Sequence, residues 1–391
     1  MFGFGKHAPD ARCGLIVDIG SSSIALAIVV SEIDELQPTI VWTHTEHTPI
    51  VADYTLANAG KRIIAALTSV SLEAGGPGLV ALAKHDARLR ITDTQVSIAA
   101  PWSYTVPKKV SYRGDEDFVA TASLVEELKE TAERETIEQH NNLDLFASLG
   151  LETLSGETTQ WLANGYAVQD PTGQTVRELT LVHNIAIAQK QLVEAVREVH
   201  RTIVPHSSLT ITSYMQHMRQ NVLANTITEH TYGLIDVSGD ATEVGVVNNG
   251  HLAAVINNQW GVNSLVRELS IITQQPTSSA LALVQASTDG NIAGLHDSQQ
   301  SAWEAVCDTF IQTQSDIIAR AAIAAEQPEH YVVHADSSVR SFVLHLMSAA
   351  ITKNNASSTV SLVSEKLLEV VTLDETRLAL AVAVFHTNTC T

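Results

Sequence analysis

Cysteine is scarce in this chain: three in 391 residues, at Cys13, Cys307 and Cys390. They form no CxxC pair and no even framework, which excludes a disulfide scaffold and fits a reducing compartment. Aromatic residues make up only 5%, and 23 Lys and Arg face 43 Asp and Glu, a net charge of −20. That balance excludes a broad basic face for a nucleic-acid backbone. Long apolar runs are missing too. The longest, Ile24 to Val30 and Leu378 to Phe385, fall short of the roughly 18 residues a bilayer span needs and read as buried strands or a short core helix. The opening Met1-Phe-Gly-Phe-Gly-Lys6 carries no apolar signal core, and Phe2 excludes myristoylation. There is no GxxxxGK[ST], and no GxGxxG follows a strand. A cytoplasmic protein is expected, with no nucleic-acid partner and no direct membrane insertion.

What the chain does have is a repeated phrase. Gly14-Leu-Ile-Val-Asp18-Ile-Gly20-Ser-Ser-Ser23-Ile-Ala-Leu-Ala-Ile-Val-Val30 is answered by Gly233-Leu-Ile-Asp236-Val-Ser-Gly239-Asp-Ala-Thr-Glu243-Val-Gly-Val-Val247. Each is an apolar β-rich run ending near an aspartate, a tight turn of Gly and small hydroxyl residues, and a second apolar run. That pattern predicts two β-hairpins, each with an acid at the end of its first strand. With 391 residues and 45% hydrophobic content, two or more packed units are expected. The spacing predicts two lobes closing both turns on one ligand.

Between and after the hairpins, Thr39 to His47 alternates as a strand and Leu56 to Val70 has helical apolar spacing. Gly75-Gly-Pro-Gly78 reads as a chain break. Thr94 to Ala100 is strand-like and ends at Pro101-Trp102, where Trp102 reads as a core anchor. Ser123 and Glu126 form a capping box opening a long acidic helix, whose glutamates read as a solvated face. Strands flank an Asp170-Pro-Thr-Gly173 turn, at 164–168 and 179–188, and Gln189 to Ile203 is amphipathic. This strand, helix, strand, strand, helix order predicts an inserted α+β unit. Further on, Val262 to Ile272 and Trp303 to Ala325 read as helices, and the Gln-, Ser- and Thr-rich stretches 274–279 and 290–301 as connections. Tyr331 to Val333 is a strand before a helix at 338–351, and Arg377 to Phe385 closes the chain.

The chemistry concentrates in the turns. A short Gly/Ser turn points successive N–H groups at one place, an anion nest. Ser21, Ser22 and Ser23 add hydroxyls, and Gly20 lets a phosphate approach the backbone. Asp18 and Asp236 would repel phosphate directly but suit a hydrated Mg²⁺ between acid and phosphate. Asp240 and Glu243 are placed to hold water. His44 and His47, three apart in a strand, face opposite sides and cannot share an ion.

Asp18-Ile-Gly-Ser-Ser-Ser23 and Asp236-Val-Ser-Gly-Asp-Ala-Thr-Glu243 resemble the phosphate-1 and phosphate-2 motifs of the actin, sugar kinase and heat-shock chaperone superfamily. The opening residues and the DIGSSS turn resemble its PilM/FtsA branch, PilM more than FtsA. Trp260-Gly261 resembles the segment that follows phosphate-2. The resemblance implies an α/β, two-lobed actin-like (ribonuclease H-like) fold with an inserted α+β subdomain in the first lobe. Its first-lobe core would be 1–83, completed by about 206–230 and 375–391, with the insertion at 84–205. The second-lobe core would be 231–262 and 326–374, with a helical subdomain at 263–325.

The resemblance also implies ATP and Mg²⁺ in the cleft. Asp18 and Asp236 would hold the metal, and Glu243 and Asp240 the catalytic water. Gly20, Ser21, Ser22, Ser23, Ser238, Gly239, Asp240, Ala335 and Asp336 would surround the nucleotide. Three positions depart from the pattern: Ala335-Asp336 replace the paired glycines of the adenosine strand, Ser238 and Ala241 replace Gly and Thr, and Ala25 replaces a lysine. These point to at most a weak ATPase, with nucleotide as a conformational ligand. The implied role is a scaffold of type IV pilus assembly that docks the cytoplasmic tail peptide of an inner-membrane partner, with Pro101 to Val110 as a groove wall. That partner would bring the chain to the membrane periphery. An FtsA-like, self-associating division protein and a small-molecule kinase are the alternatives. The former would call for an amphipathic anchor, which His386-Thr-Asn-Thr-Cys-Thr391 does not supply.

Overall fold

The computed structural model describes residues 11–141, 150–224, 230–363, 373 and 376–390. The opening motif at residues 1–6 lies outside them. The first hairpin forms as expected, β1 (Arg12–Ile19) antiparallel to β2 (Ser23–Ser31), which pairs in turn with β3 (Thr39–His47). On its other side β1 pairs parallel with β4 (Asp93–Ile98), and β4 with β9 (Ser208–Ser213). The second hairpin repeats this plan. There β10 (Thr231–Val237) and β11 (Thr242–Asn248) are antiparallel, β12 (His251–Asn258) follows outside β11, and β13 (His330–Ala335) and β14 (Thr359–Leu362) add parallel strands beyond β10. The two five-stranded sheets therefore share one strand order, 3-2-1-4-9 matched by 12-11-10-13-14. Their central strands are apolar almost without alternation because both faces are covered.

A third sheet, in the order β5-β8-β6-β7, is built from β5 (Ser103–Val119), β6 (Leu151–Ala163), β7 (Tyr166–Val168) and β8 (Thr175–Gln189). Helix α3 (Ala122–Asn141) packs on it through Leu128 and Ala132. This is the expected α+β insertion, with longer strands than the sequence reading gave. The helix begins earlier than the Ser123/Glu126 box implied: the Thr121 hydroxyl accepts the Leu124 N–H at 3.2 Å. Thr121 is thus the cap, and Ser123 falls inside the first turn.

Helix α1 (Leu56–Glu73) is capped by Thr55 and buries Ala59, Ile63, Ala66, Leu67 and Val70 on the first sheet. The expected break at Gly75–Gly78 does not occur. The chain passes through one wide helical turn, Ala74–Gly78, into α2 (Leu79–His85), and Pro77 is accommodated there. Gly78 allows the close approach, since a Cβ there would lie 3.1 Å from Ile28 and 3.2 Å from the Trp42 ring. By length and composition the whole run Leu56–His85 is apolar enough to cross a membrane. Lys61 and Arg62 hid this from a search for unbroken apolar runs, and in the fold its apolar stripe lies on the sheet.

Helix α4 (Lys190–Ile203) packs beside α1 through Leu192, Val193 and Val196. On the second lobe lie α6 (Val262–Thr273), α7 (Thr277–Ala286), α8 (Asp297–Ala324) and α9 (Arg340–Asn354). The segment 274–279, read as a connection, contains the start of α7, which Ala280 and Val284 fix against the core one turn apart. Between the lobes lie α5 (Tyr214–Ala224) and the closing helix α10 (Thr376–Cys390). Residues Leu378 to Phe385 are all buried in a core shared with Ile16 and Val29 of the first sheet and Leu234, Val247 and Val332 of the second. A helix apolar on every side is one surrounded by protein.

Gly14 marks how tightly α10 is seated: a Cβ there would come within 2.6 Å of the Phe385 ring. Gly14→Ala is expected to destabilise the chain by about 1–3 kcal/mol through overpacking. Adding Phe385→Leu should recover part of the loss in urea unfolding. Equal stability of Gly14→Ala and wild type would refute this packing.

Candidate functional site

The two hairpin turns meet at the interface of the lobes. The first is closed by the Gly20 N–H donating to the Ser23 carbonyl at 2.8 Å and is held from behind by Trp102, whose indole N–H donates to the Gly20 carbonyl at 2.8 Å. Trp102 is therefore the buried anchor its neighbourhood predicted. The second is closed by the Ser238 N–H and hydroxyl, which both donate to the Ala241 carbonyl. Helix α6 fastens it: the Val262 and Asn263 N–H groups donate to the carbonyls of Ser238 and Gly239. Gly261 permits this contact, since a Cβ there would lie 2.7 Å from the Gly239 carbonyl carbon.

The turns touch each other. The Asp240 N–H donates to the Ser21 hydroxyl at 2.9 Å. Any Cβ on Gly239 would collide with the Ser22 hydroxyl and lie 2.7 Å from the Asn263 amide nitrogen. Of the groups expected to cradle phosphate, the Gly20 and Asp240 N–H groups are engaged within the protein, and the Ser21 hydroxyl accepts from the latter. Asp240 is itself tied down, accepting from Arg267 at 2.9 Å and from Asn263 at 3.2 Å. Arg267 lies over the Tyr54 ring of the first lobe, 4.6 Å from its centre.

Deeper in, the structure brings Asp18, Asp236 and Glu243 together, as the sequence predicted, around a residue that it did not. Arg377, near the start of α10, donates from Nε to Asp18 at 3.0 Å and from Nη1 to both oxygens of Asp236 at 3.0 and 2.9 Å. Its guanidinium lies 3.9 Å from the centre of the Tyr214 ring. Asp236 Oδ1, one of the two oxygens that Arg377 contacts, also accepts from the Nδ1–H of His334 at 2.7 Å. All of these side chains are buried. Burial opposes ionisation of Asp236, but Arg377 and His334 outweigh it and hold the carboxyl below its ordinary range. Burial lifts Asp18 above that range, with Arg377 only partly offsetting it.

Burial would lower the Arg377 pKa, yet the two aspartates raise it well above normal, so the guanidinium stays charged. A hydrated Mg²⁺ keeps several waters, and the pair Asp18 and Asp236 instead holds a planar cation in direct contact. The residues present do not fit the metal the sequence assigned to them.

A cavity of about 480 Å³ remains on the outer side of the turns. It is lined by Ser22, His47 and Ile50 from one lobe and by Gly239, Asn263 and Asp336 among those from the other. Its size suits a small ligand, but no lysine or arginine lines it and Asp336 faces it. Ala335 is buried in the second-lobe core and Ser23 belongs to the turn's own closure. Sequence reasoning missed Arg377, His334, Arg267 and Asn263. Only Asn263, near the glycine-led segment at Trp260, had a local signal.

Glu243 pairs in register with Asp236 across the hairpin and is 1% exposed, with Oε1 lacking a hydrogen-bond partner. Burial, then the Asp236 charge, pushes its pKa up to about 8. Its raised pKa favours the protonated form at neutral pH. A carboxyl that holds its proton more tightly folded than unfolded loses stability as pH climbs from the unfolded value, about 4.3, to about 8. Glu243→Gln should therefore match wild type near pH 4–5 and exceed it by up to a few kcal/mol near pH 8, at about 1.4 kcal/mol per pKa unit. Denaturant titrations across that range check this, and a stability difference independent of pH would sink it.

No protein-family model matches the chain, and no curated protein matches its sequence. Solved structures do share its fold. A structure of the PilM-PilN type IV pilus biogenesis complex aligns over 97% of this chain and 98% of its own, with a TM-score of 0.61 at 12% identity. The ethanolamine utilization protein EutJ from Carboxydothermus hydrogenoformans aligns over 97% and 91%, with a TM-score of 0.44 at 13% identity. A Bacteroides thetaiotaomicron protein with an actin-like ATPase fold aligns over 90% and 91%, with a TM-score of 0.41 at 8% identity. The chain has the two-lobed α/β fold of the actin-like ATPases.

Proposed function

We propose that this chain is an actin-like scaffold of type IV pilus assembly that docks the cytoplasmic tail of an inner-membrane partner and does not hydrolyse ATP. One observation carries the reading: the chain's own guanidinium holds the two turn aspartates that the resemblance assigns to a metal, and the two turns are hydrogen-bonded to each other. Arg377 spans Asp18 and Asp236, and Ser21 takes the Asp240 N–H. A two-lobed protein with such a cleft retains its surfaces as the means of action.

The similarity to the PilM-PilN structure extends over nearly the whole of both chains, which supports the pilus reading over a division protein or a kinase. The insertion supplies a surface for a tail. Among the described residues, strand β5 pairs within its sheet only with β8, and Val106 and Lys108 are half-buried along it while Lys109 is exposed. An extended peptide binds such an edge through its backbone and fills alternate side-chain pockets.

The test uses the full chain and labelled cytoplasmic tail peptides of candidate bitopic inner-membrane proteins. Fluorescence anisotropy should show saturable binding that excess ATP·Mg²⁺ leaves unchanged, and Val106→Asp should weaken it about tenfold or more, a loss of about 1.4 kcal/mol. Calorimetry with ATP·Mg²⁺ should show no heat of binding. Absence of binding by every tail would overturn the docking role. ATP turnover abolished by Asp18→Ala would overturn the non-hydrolytic one.

A further inference from the structure

We infer that Arg377 is a resident cation built into the chain, standing in place of a divalent metal between the two turn aspartates and bolting the lobes together without any ligand. Asp18 ends the first strand of one lobe and Asp236 the first strand of the other, and a single guanidinium contacts both within 3.0 Å. It reaches the place where the first turn comes closest: a Cβ on Gly20 would lie 3.8 Å from Arg377 Nε. The helix that delivers it is buried between the sheets for eight consecutive residues, Leu378 to Phe385, so the cation arrives in a fixed position. Tyr214 lies against the guanidinium face, and His334 donates to the same Asp236 Oδ1 that Arg377 contacts.

Two carboxylates at this depth require a positive partner, and the guanidinium donates to one oxygen of Asp18 and to both of Asp236, leaving Asp18 Oδ1 and its own Nη2 without a protein partner. A metal ion and the guanidinium cannot occupy the space together. Wild-type protein is accordingly insensitive to Mg²⁺ and Mn²⁺. Deleting the guanidinium leaves two buried acids that a divalent cation can then neutralise. The latch is independent of which partner the outer surfaces bind, so its failure and the failure of the docking role are separately measurable.

The experiment compares full-length wild type, Arg377→Ala and Arg377→Ala/Asp18→Asn by thermal unfolding with and without MgCl₂, and by electron paramagnetic resonance with MnCl₂. Wild type should show no cation-dependent rise in Tm and no bound Mn²⁺. Arg377→Ala should have a lower Tm that either cation raises, and should bind Mn²⁺ at least about tenfold more tightly than wild type does, because a ligand that binds only the folded state stabilises it by mass action. The double variant should lose that response. Arg377→Lys, which keeps a positive charge, should stay insensitive to both ions. If Arg377→Ala does not fold in metal-free buffer, the same readout becomes its soluble yield with and without Mn²⁺. Mn²⁺ binding by wild type that Asp18→Asn abolishes would overturn the inference. So would an Arg377→Ala protein whose Tm or yield ignores both cations.

Discussion

Everything at the centre of this molecule depends on one buried cation held by two buried anions. Taking a carboxylate out of water costs several kcal/mol even after relaxation, and the cost is recovered only by a partner in good geometry. Arg377 supplies that geometry three times over, once to Asp18 and twice to Asp236. A lysine could place the same charge but not the same fork. The coupling is tight in a specific sense: loss of Arg377 leaves two carboxylates inside the protein without that cation, at about 3–5 kcal/mol. Glu243 avoids this penalty in another way. It has no cation of its own, and burial favours its protonated form.

The delivery of that cation explains the helix behind it. Helix α10 is apolar on all sides because it is the wedge between the sheets, and its ring at Phe385 sits over Gly14 while Arg377 reaches the turns from its first helical residues. Strand, turn and helix are thus mutually determined. The glycine lets the helix approach, the approach sets the arginine, and the arginine fixes the distance between the two turns. Trp102 adds a second constraint from the insertion side by holding the Gly20 carbonyl. The turns have little freedom left to adapt to a ligand.

Much of the fold was legible because it is written locally. Two apolar runs around Asp18-Ile-Gly20 and Asp236-Val-Ser-Gly239 specify hairpins whatever surrounds them, and they do form. Trp102 beside Pro101 announced an anchor. Asp236 and Glu243 pair across the second hairpin as its register dictates. What escaped was set by tertiary context, the meeting of Asp18 with that pair included. Gly75–Gly78 looks like a break because three glycines and a proline are poor helix formers, yet Gly78 lets the helical turn run close over Ile28 and Trp42. Helix α7 opens on Thr277-Ser-Ser279, and Ala280 and Val284 mark its buried side. Strand β6 mixes Glu, Ser and Thr with few apolar residues, so its pairing with β8 had no strong period. Arg377 was the least accessible of all. It lies 359 positions from Asp18, in no motif, and nothing in its neighbours marks it as charged core.

That missing residue changes what the motif means. An aspartate at the end of each first strand is ordinarily taken as the mark of a metal–phosphate site, and here the same aspartates are needed for a different reason. A buried guanidinium requires both carboxylates as much as a metal would, so the two aspartates have a physical cause to be kept whether or not nucleotide is bound. The outer cavity carries the complementary sign of this change. It has room for a small molecule, but its charged lining residue is Asp336 and it offers no lysine or arginine. A polyphosphate arriving there would meet one carboxylate without a countering lysine or arginine, and the two turn aspartates already hold Arg377.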